Sequence, residues 1–443
     1  MKIIQNIGIL AIGAVLTFGA CKKNNDGSSN TLPSTTSQPN ILLIIADDMG
    51  LDATPNYNIG VAKPNMPVLQ GLMQNGLTFD NLLANPECSP TRASILTGRY
   101  GFHTGVLGAT INNEIPLSET SIQKYLDNKT NAAYSHAVIG KWHLGGSSNG
   151  GKNNPANMGV GYYAGFLIGA MQDYSNWQLT IDGVQQNCTD YATTKFTNLA
   201  IDWIGAQKQP WFLWLAYTAP HTPFHLPPTN LHDRDNLPPD STSISANPQP
   251  YFFAMMEAMD TEIGRLLASL STEQRNNTLI IFIGDNGTSR EVIQVPYSAQ
   301  KAKSTVYQGG LAVPMVVSGN GVSRKGEREA ALINTTDLFA TIADVAGAGI
   351  TEVYDSKSIR PLFTQTQTNF REFAYGELKN TTKDYWAVRN EKYKLIEYAT
   401  GTKELYDLST DPYENTNLLQ GTLSPAQTTA KLALEAEIAR IRQ

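Results

Sequence analysis

Four short polar clusters sit directly behind apolar runs, and their side chains are of the kinds that bind ions and move protons. Asp47 and Asp48 follow the run Asn40–Ala46, and Asp285 and Asn286 follow Leu279–Gly284. Lys141 ends the run Ala137–Lys141 with His143 two residues on, and His221 lies just beyond Trp211–Tyr217. Asp47, Asp48, Asp285 and Asn286 together offer three carboxylates and one amide oxygen, with no thiolate or imidazole among them. Hard oxygen donors of this kind suit Ca2+, Mg2+ less well, and zinc not at all. Adjacent aspartates also repel one another, and a bound cation would relieve that. Alone, Asp47-Asp48 reads equally as a helix cap, and Gly284-Asp285-Asn286-Gly287 as a turn. Their joint placement behind two separate runs favours a metal site.

The elements that must position these groups follow from the same runs. Each is apolar without alternation, as in strands buried on both faces of a parallel sheet; Pro314–Ser318 is a further example. Between them, Met255, Met259, Ile263, Leu266, Leu267 and Leu270 fall at helical spacing, which predicts an amphipathic helix packed on the sheet. Ile333–Val345 also reads as a helix. The alternation predicts an α/β fold over residues 40–355, a large doubly wound, mostly parallel sheet sandwiched by helices. In such sheets ligands bind beyond the carboxyl ends of the strands, where all four polar clusters fall. Later in the chain the pattern changes. Phe373–Glu377, Tyr385–Arg389, Tyr393–Tyr398 and Lys403–Asp407 read as short strands, and Ala426–Ile441 as a terminal helix. Residues 356–443 are therefore expected to form a small C-terminal antiparallel-sheet subdomain.

The segment Pro86-Glu87-Cys88-Ser89-Pro90-Thr91-Arg92-Ala93-Ser94 is followed by Leu96-Thr97-Gly98-Arg99. This Cys-x-Pro-x-Arg pattern resembles the signature of the type I sulfatases, within the alkaline-phosphatase-like superfamily. The resemblance continues in order along the chain, from about residue 40 to about residue 415. It takes in Asp47-Asp48-x-Gly50, Gly140-Lys141-Trp142-His143-Leu144-Gly145, Ala219-Pro220-His221-x-Pro223, Gly284-Asp285-Asn286-Gly287, Lys303-x-x-x-Tyr307-x-Gly309-Gly310 and Glu404-Leu405-Tyr406-Asp407. Small departures stand at Gly284 and Gln308, where the family often has Ser and Glu. The resemblance implies that a separate maturation enzyme oxidises Cys88 to Cα-formylglycine, and that the ion binds Asp47, Asp48, Asp285, Asn286 and the modified residue 88. It implies further that Arg92 stabilises the ionised hydrate, that Lys141 and Lys303 grip the sulfate, that His221 protonates the leaving alcohol, and that His143 is the base.

Such machinery has a physical rationale. A serine nucleophile attacking a sulfate ester would end as a stable sulfated serine. A hydrated aldehyde avoids that trap: one hydroxyl displaces the alcohol, and loss of the other's proton expels the sulfate. The predicted function is hydrolysis of sulfate monoesters; a phosphodiesterase or phosphonate monoester hydrolase of the same superfamily is the alternative.

The chain's remaining features set its context. Lys2 precedes an apolar run from Ile3 to Ala20, as in a signal peptide. Phe18-Gly19-Ala20-Cys21 resembles a bacterial lipobox, with Phe where Leu is usual. Residues 1–20 thus read as a lipoprotein signal with Cys21 as the lipidation site, and the polar residues 21–39 as a flexible tether. A lipid anchor on the cell envelope follows. Of the other cysteines, Cys88 and Cys188 are open to a disulfide, or one of them to special chemistry. A net charge of −6 argues against nucleic-acid binding by bulk electrostatics. Tyr162, Tyr163, Phe166, Tyr174 and Trp177 lie in long loops after site residues and either stack on sugar rings or pack the loop; His225 is a weaker candidate at the substrate rim. Address and chemistry together suggest a scavenger of sulfated carbohydrate from a polysaccharide.

Overall fold

Asn40–Ala46 forms the central strand β1, and all seven of its residues are buried. Its side chains divide by parity: Leu42 and Ile44 enter one hydrophobic core, and Ile41, Leu43 and Ile45 the other. That is the two-sided burial expected of a sheet covered by helices on both faces. In the computed structural model, residues 38–367 and 369–443 are described. The expected signal and most of the tether, with Cys21, lie outside these residues.

Nine further strands complete the sheet: β2 (Gly76–Leu83), β3 (Ser135–Lys141), β4 (Tyr162–Phe166), β5 (Trp177–Ile181), β6 (Val184–Cys188), β7 (Trp211–Ala216), β8 (Thr278–Gly284), β9 (Ala312–Gly319) and β10 (Glu327–Asn334). Their order is β10-β2-β9-β8-β1-β7-β3-β4-β5-β6. The block β8-β1-β7-β3-β4 is parallel throughout. Strand β9 runs antiparallel to both β8 and β2, and the β5–β6 hairpin closes the opposite edge antiparallel. The sheet is therefore mixed at both flanks and parallel where the polar clusters lie. The predicted amphipathic helix is Gln249–Ser269, with Met255, Met259, Ile263 and Leu266 fully or almost fully buried. Ile333–Val345 is only partly helical: Ile333 and Asn334 end β10, and the helix runs from Asp337 to Val345.

After a two-stranded ribbon, β11 (Glu352–Val353) and β12 (Ser356–Lys357), the chain makes a four-stranded antiparallel sheet: β13 (Ala374–Lys379), β14 (Asp384–Arg389), β15 (Tyr393–Tyr398) and β16 (Lys403–Asp407). Helix Pro425–Ile441 packs on it through Leu434 and Ile438, opened by a capping box between Ser424 and Gln427. The fold class is thus the expected one. The small sheet also helps to position the site. Its residues Leu378, Tyr385 and Ile396 share a core with Val306 and Leu311, so it backs the segment that carries Lys303. Among the described residues no helix is long and apolar enough to cross a membrane.

Candidate active site

The carboxyl ends of β1, β8, β7 and β3 deliver the predicted residues to one buried cluster. Asp47 N–H donates to the Ala219 carbonyl and Asp285 N–H to the Ala46 carbonyl, which stitches the three strand exits together. Asp48 N–H then donates to Asp285 Oδ1 at 3.1 Å. Asp48 and His143 hold φ of 69° and 58°, a left-handed conformation that costs energy for a residue with a side chain. Gly140, at φ 104°, lets β3 approach β7 just before Lys141; a Cβ there would lie 1.9 Å from the Ala216 carbonyl oxygen.

Cys88 is the first residue of the helix Cys88–Thr97, so its thiol sits at a helix N-terminus. It lies 3.2 Å from His143 Nδ1 and 3.5 Å from Lys141 Nζ. Burial pushes the thiol up to about 11, against the pull of Lys141, so as a cysteine it is an un-ionised group. Cys188 is a second buried free thiol, and the two form no disulfide. One turn along the same helix, Arg92 is fully buried and bridges the cluster. Its Nη2 contacts Asp285 Oδ2 at 2.8 Å and Asp47 Oδ2 at 3.9 Å, while Nη1 donates to the Lys141 carbonyl at 2.9 Å.

The cations and carboxylates are interleaved. Lys141 Nζ meets Asp47 Oδ2 at 2.5 Å, and Lys303 Nζ meets Asp48 Oδ1 at 2.5 Å. Burial works against the charge on Asp48, but Lys303, His221 and Lys141 override it and hold the carboxyl well below the usual range. Asp285 goes the other way: burial, then the charge of Asp47, pushes it up to about 6. Asp47 Oδ1 and Asn286 Oδ1 are buried and meet no hydrogen-bond donor among the described residues. An orphaned buried acceptor costs about 1–3 kcal/mol, and two of them beside three carboxylates are what a hard cation would satisfy. Donor atoms of Asp47, Cys88 and Asp285 all lie within 4.8 Å of one another, as do those of Asp47, Asp48 and His221.

The two histidines differ in tautomer. His143 Nε2 faces the Ala109 carbonyl at 3.0 Å. A carbonyl only accepts, so Nε2 carries the hydrogen and Nδ1 presents its lone pair to residue 88. Glu87 Oε2 in turn accepts the Ala109 N–H at 2.6 Å and anchors that residue. Burial, with Lys141 and Arg92 nearby, holds His143 well below the ordinary imidazole range, so it is neutral. In His221 it is Nδ1 that faces a carbonyl, that of Thr222 at 2.8 Å, leaving Nε2 turned toward Asp48 Oδ2 at 3.8 Å. Burial pushes His221 down to about 4.

His225 stands apart. Its Nε2 contacts the Tyr191 hydroxyl at 3.0 Å, its Nδ1 the Pro223 carbonyl at 2.9 Å, and its ring lies 4.4 Å from that of Tyr174. Tyr174 donates to the carbonyls of Thr218 and His221, so this trio supports the loop under His221. Tyr163, Phe166, Tyr174 and Trp177 are all buried and pack the fold; Tyr162 alone of the five is partly exposed. Three supports were invisible to motif reading: the Ala109 carbonyl, Glu87 as the anchor of that residue, and Glu414. Lys394, fully buried, pairs with Glu414 at 2.6 Å, and Glu414 accepts the Gln308 N–H at 2.6 Å and, through its carbonyl, Lys301. Ser304 N–H donates to the Pro86 carbonyl at 2.8 Å and ties the Lys303 segment to the Cys88 loop.

Known proteins share this fold and match the chain in sequence. Residues 39–348 match the sulfatase family, and residues 301–443 match the N-sulphoglucosamine sulphohydrolase C-terminal family. The uncharacterized sulfatase YdeN of Escherichia coli K12 is 29% identical over 385 residues, which cover 74% of this chain and 66% of that protein, just under two thirds of its length. An arylsulfatase of Klebsiella aerogenes is 25% identical over 73% of this chain and 90% of its own. Among solved structures, Ps i-CgsB in complex with k-i-k-neocarrahexaose aligns with a TM-score of 0.74 and 23% identity over 92% of this chain and 94% of its own. BT4656 in complex with its substrate D-glucosamine-2-N,6-O-disulfate aligns with 0.75 and 20% over 92% and 98%. The phosphonate monoester hydrolase of Agrobacterium radiobacter shares the fold at 0.66 and 18% over 91% and 95%. With a family match running from the first strand of the sheet to the helix beyond the tenth, the chain belongs to the sulfatase family of sulfuric ester hydrolases.

Proposed function

We propose that this protein hydrolyses sulfate monoesters on carbohydrate, with Cys88 matured to Cα-formylglycine as the nucleophilic residue and a divalent cation, Ca2+ before Mg2+, held by Asp47, Asp48, Asp285 and Asn286. The observation that carries the reading is the setting of Cys88. It sits at a helix N-terminus, 3.2 Å from a bare imidazole nitrogen and 3.5 Å from an ammonium, with carboxylate oxygens of Asp47 and Asp285 within 4.8 Å of its sulfur. When bound, the cation supplies Lewis acidity toward the oxygens at residue 88 and on the sulfate.

The chain's own residues do the rest. Arg92 keeps compensating charge beside residue 88. Lys141 and Lys303 pair with Asp47 and Asp48; with those carboxylates holding a cation, both ammoniums would be free to turn to the sulfate and offset the charge developing in the transition state. His143 Nδ1 takes the proton from the hydroxyl at residue 88; its tautomer, set by Ala109, leaves that nitrogen free to do so. His221 delivers a proton through Nε2 to the departing alcohol. The negative charge of the bound ester draws the proton onto this low-pKa ring.

Carbohydrate is favoured because two structural neighbours were solved with saccharides, one with k-i-k-neocarrahexaose and one with D-glucosamine-2-N,6-O-disulfate. We further propose that Cys21 is lipidated and that residues 22–39 tether the enzyme to the cell envelope, on the strength of the lipobox-like Phe18–Cys21. The fold shared with a phosphonate monoester hydrolase keeps a second reading, hydrolysis of phosphonate or phosphate esters. The test is sulfate release from sulfated mono- and oligosaccharides alongside 4-nitrophenyl sulfate and phenyl phosphonates. Sulfate release in preference to phosphonate cleavage supports the first reading; the reverse preference establishes the second.

A further inference from the structure

Behind His143 the chain builds a cavity of about 340 Å3 that no motif reports. Its near wall is the segment after β4. Leu167 accepts the His143 N–H through its carbonyl, and a Cβ on Gly169 would lie 2.5 Å from the His143 ring. Leu167, Ile168 and Ala170, on either side of that glycine, line the cavity. The far wall is the β5–β6 hairpin at the edge of the sheet. Gln178 pairs with Asn187 and Thr180 with Gln185 across the hairpin, so the two-residue period puts all four on one face. The other face sends Leu179 into the core.

The lining is half polar and half apolar. Gln172, Asn176, Gln178, Gln185 and Asn187 contribute five carboxamides and Thr180 a hydroxyl; Phe166 and Trp177 join the aliphatic wall, and no lining residue is ionisable. All five amides are solvent-exposed, and among the described residues only Gln185 has a side-chain partner, Thr180 Oγ1 at a long 3.4 Å. Ile168, 61% exposed, adds an apolar surface at the same wall. A carboxamide both donates and accepts, as does a sugar hydroxyl, and the apolar C–H face of a pyranose fits against an aliphatic side chain. A charged ring would find no counter-ion here.

We infer that this carboxamide-lined cavity is a subsite for an uncharged sugar residue adjoining the sulfated one, so that the enzyme recognises an oligosaccharide and not a single sulfated ring. The inference rests on the carbohydrate reading above. It places the neutral neighbour on the β4–β6 side of the centre, away from the cations that hold the sulfate.

The test uses the matured enzyme and a variant carrying both Gln178→Ala and Asn187→Ala. The probes are sulfated neocarra-oligosaccharides and glycosaminoglycan oligosaccharides, each beside its sulfated monosaccharide, with 4-nitrophenyl sulfate as the sugar-free reference. For the parent, kcat/KM should rise at least about tenfold from monosaccharide to oligosaccharide. In the double variant the ratio of oligosaccharide to 4-nitrophenyl sulfate turnover should fall about tenfold, the size of two lost neutral hydrogen bonds, through KM and with the thermal midpoint preserved. Equal turnover of monosaccharide and oligosaccharide by the parent, or a variant that keeps the full length gain, overturns the subsite and leaves the sulfatase reading standing. Hydrolysis of 4-nitrophenyl sulfate with no carbohydrate sulfate turned over removes the carbohydrate reading, and the subsite with it.

Discussion

Removing the cation should cost this fold stability in a residue-specific way. Asp47 Oδ1 and Asn286 Oδ1 are buried acceptors without a donor among the described residues. At about 1–3 kcal/mol each, satisfying both is worth about 2–6 kcal/mol. Two things reduce the net gain. Lys141 and Lys303 must release Asp47 and Asp48, each now held at 2.5 Å, and the ion must shed water. A net increment of about 3 kcal/mol is expected, close to the 2.7 kcal/mol that a ligand at about a hundred times its Kd provides. The assay is urea unfolding followed by tryptophan fluorescence, in millimolar Ca2+ and in excess chelator. Asn286→Ala removes one orphan and one ligand, but also the hydrogen bonds its Nδ2 donates to Asp48 Oδ1 and the Gly287 carbonyl; these effects oppose each other, so its chelated stability should stay within about 2 kcal/mol of the parent's while its Ca2+ increment falls by half or more. Mg2+ should give a smaller increment than Ca2+, because it demands stricter octahedral geometry. Unfolding midpoints that coincide with and without Ca2+, or an undiminished increment in Asn286→Ala, would refute the reasoning.

Three other outcomes follow from the same geometry. His221→Ala should lower turnover of an alkyl sulfate by about 10²–10⁴ and that of 4-nitrophenyl sulfate much less, because nitrophenolate leaves without a proton; equal losses on both substrates would remove His221 as the acid. Arg92→Met strands Asp285 and Asp47 without their guanidinium, and breaking such a buried pair should destabilise the chelated enzyme by about 3–5 kcal/mol, read as a lowered urea midpoint at unchanged slope. Asp260 accepts the N–H groups of Val68 and Leu69 at the start of the helix Pro67–Gln74, yet burial pushes its carboxyl up to about 6 from an ordinary 3.8. Its folded pKa lies above the unfolded one, so the stabilisation is complete below about pH 3.8 and is lost as pH rises through about 6. Parent stability should therefore fall by a few kcal/mol between these values and neutrality, and Asp260→Asn should lack that component in urea titrations at matched pH.

The parallel heart of the fold was legible because strands buried on both faces carry unbroken apolar runs, and β1, β3, β7 and β8 do so. The direction of β9 was not, since a run buried on both faces looks the same whichever way it points. Strand β2 carries Thr78, Asp80 and Asn81 among its apolar residues and offers no clean period. Strand β10 begins Glu-Arg-Glu and ends on Ile333-Asn334, whose apolar end merges into the helix that follows. The site's carboxylates, lysines and histidines announced themselves by type and by position at strand ends. What orients them did not. The Ala109 carbonyl that sets the His143 tautomer is backbone, and any residue there would supply it. Glu414 acts across more than a hundred residues to hold the Lys303 segment, and the carboxamide face of the β5–β6 hairpin exists only once the strands are paired in register.

The proposed chemistry turns on the identity of residue 88 in working enzyme. Peptide mass spectrometry of the segment around Cys88, from a preparation whose sulfatase activity has been measured, reads it directly. Replacing sulfur and two hydrogens with one oxygen makes the aldehyde form about 18 Da lighter than the thiol. The aldehyde fraction should track specific activity from batch to batch, and Cys88→Ala should lose at least about 10⁴-fold in turnover while keeping its fold. Full activity in material that carries only the unmodified thiol would contradict it.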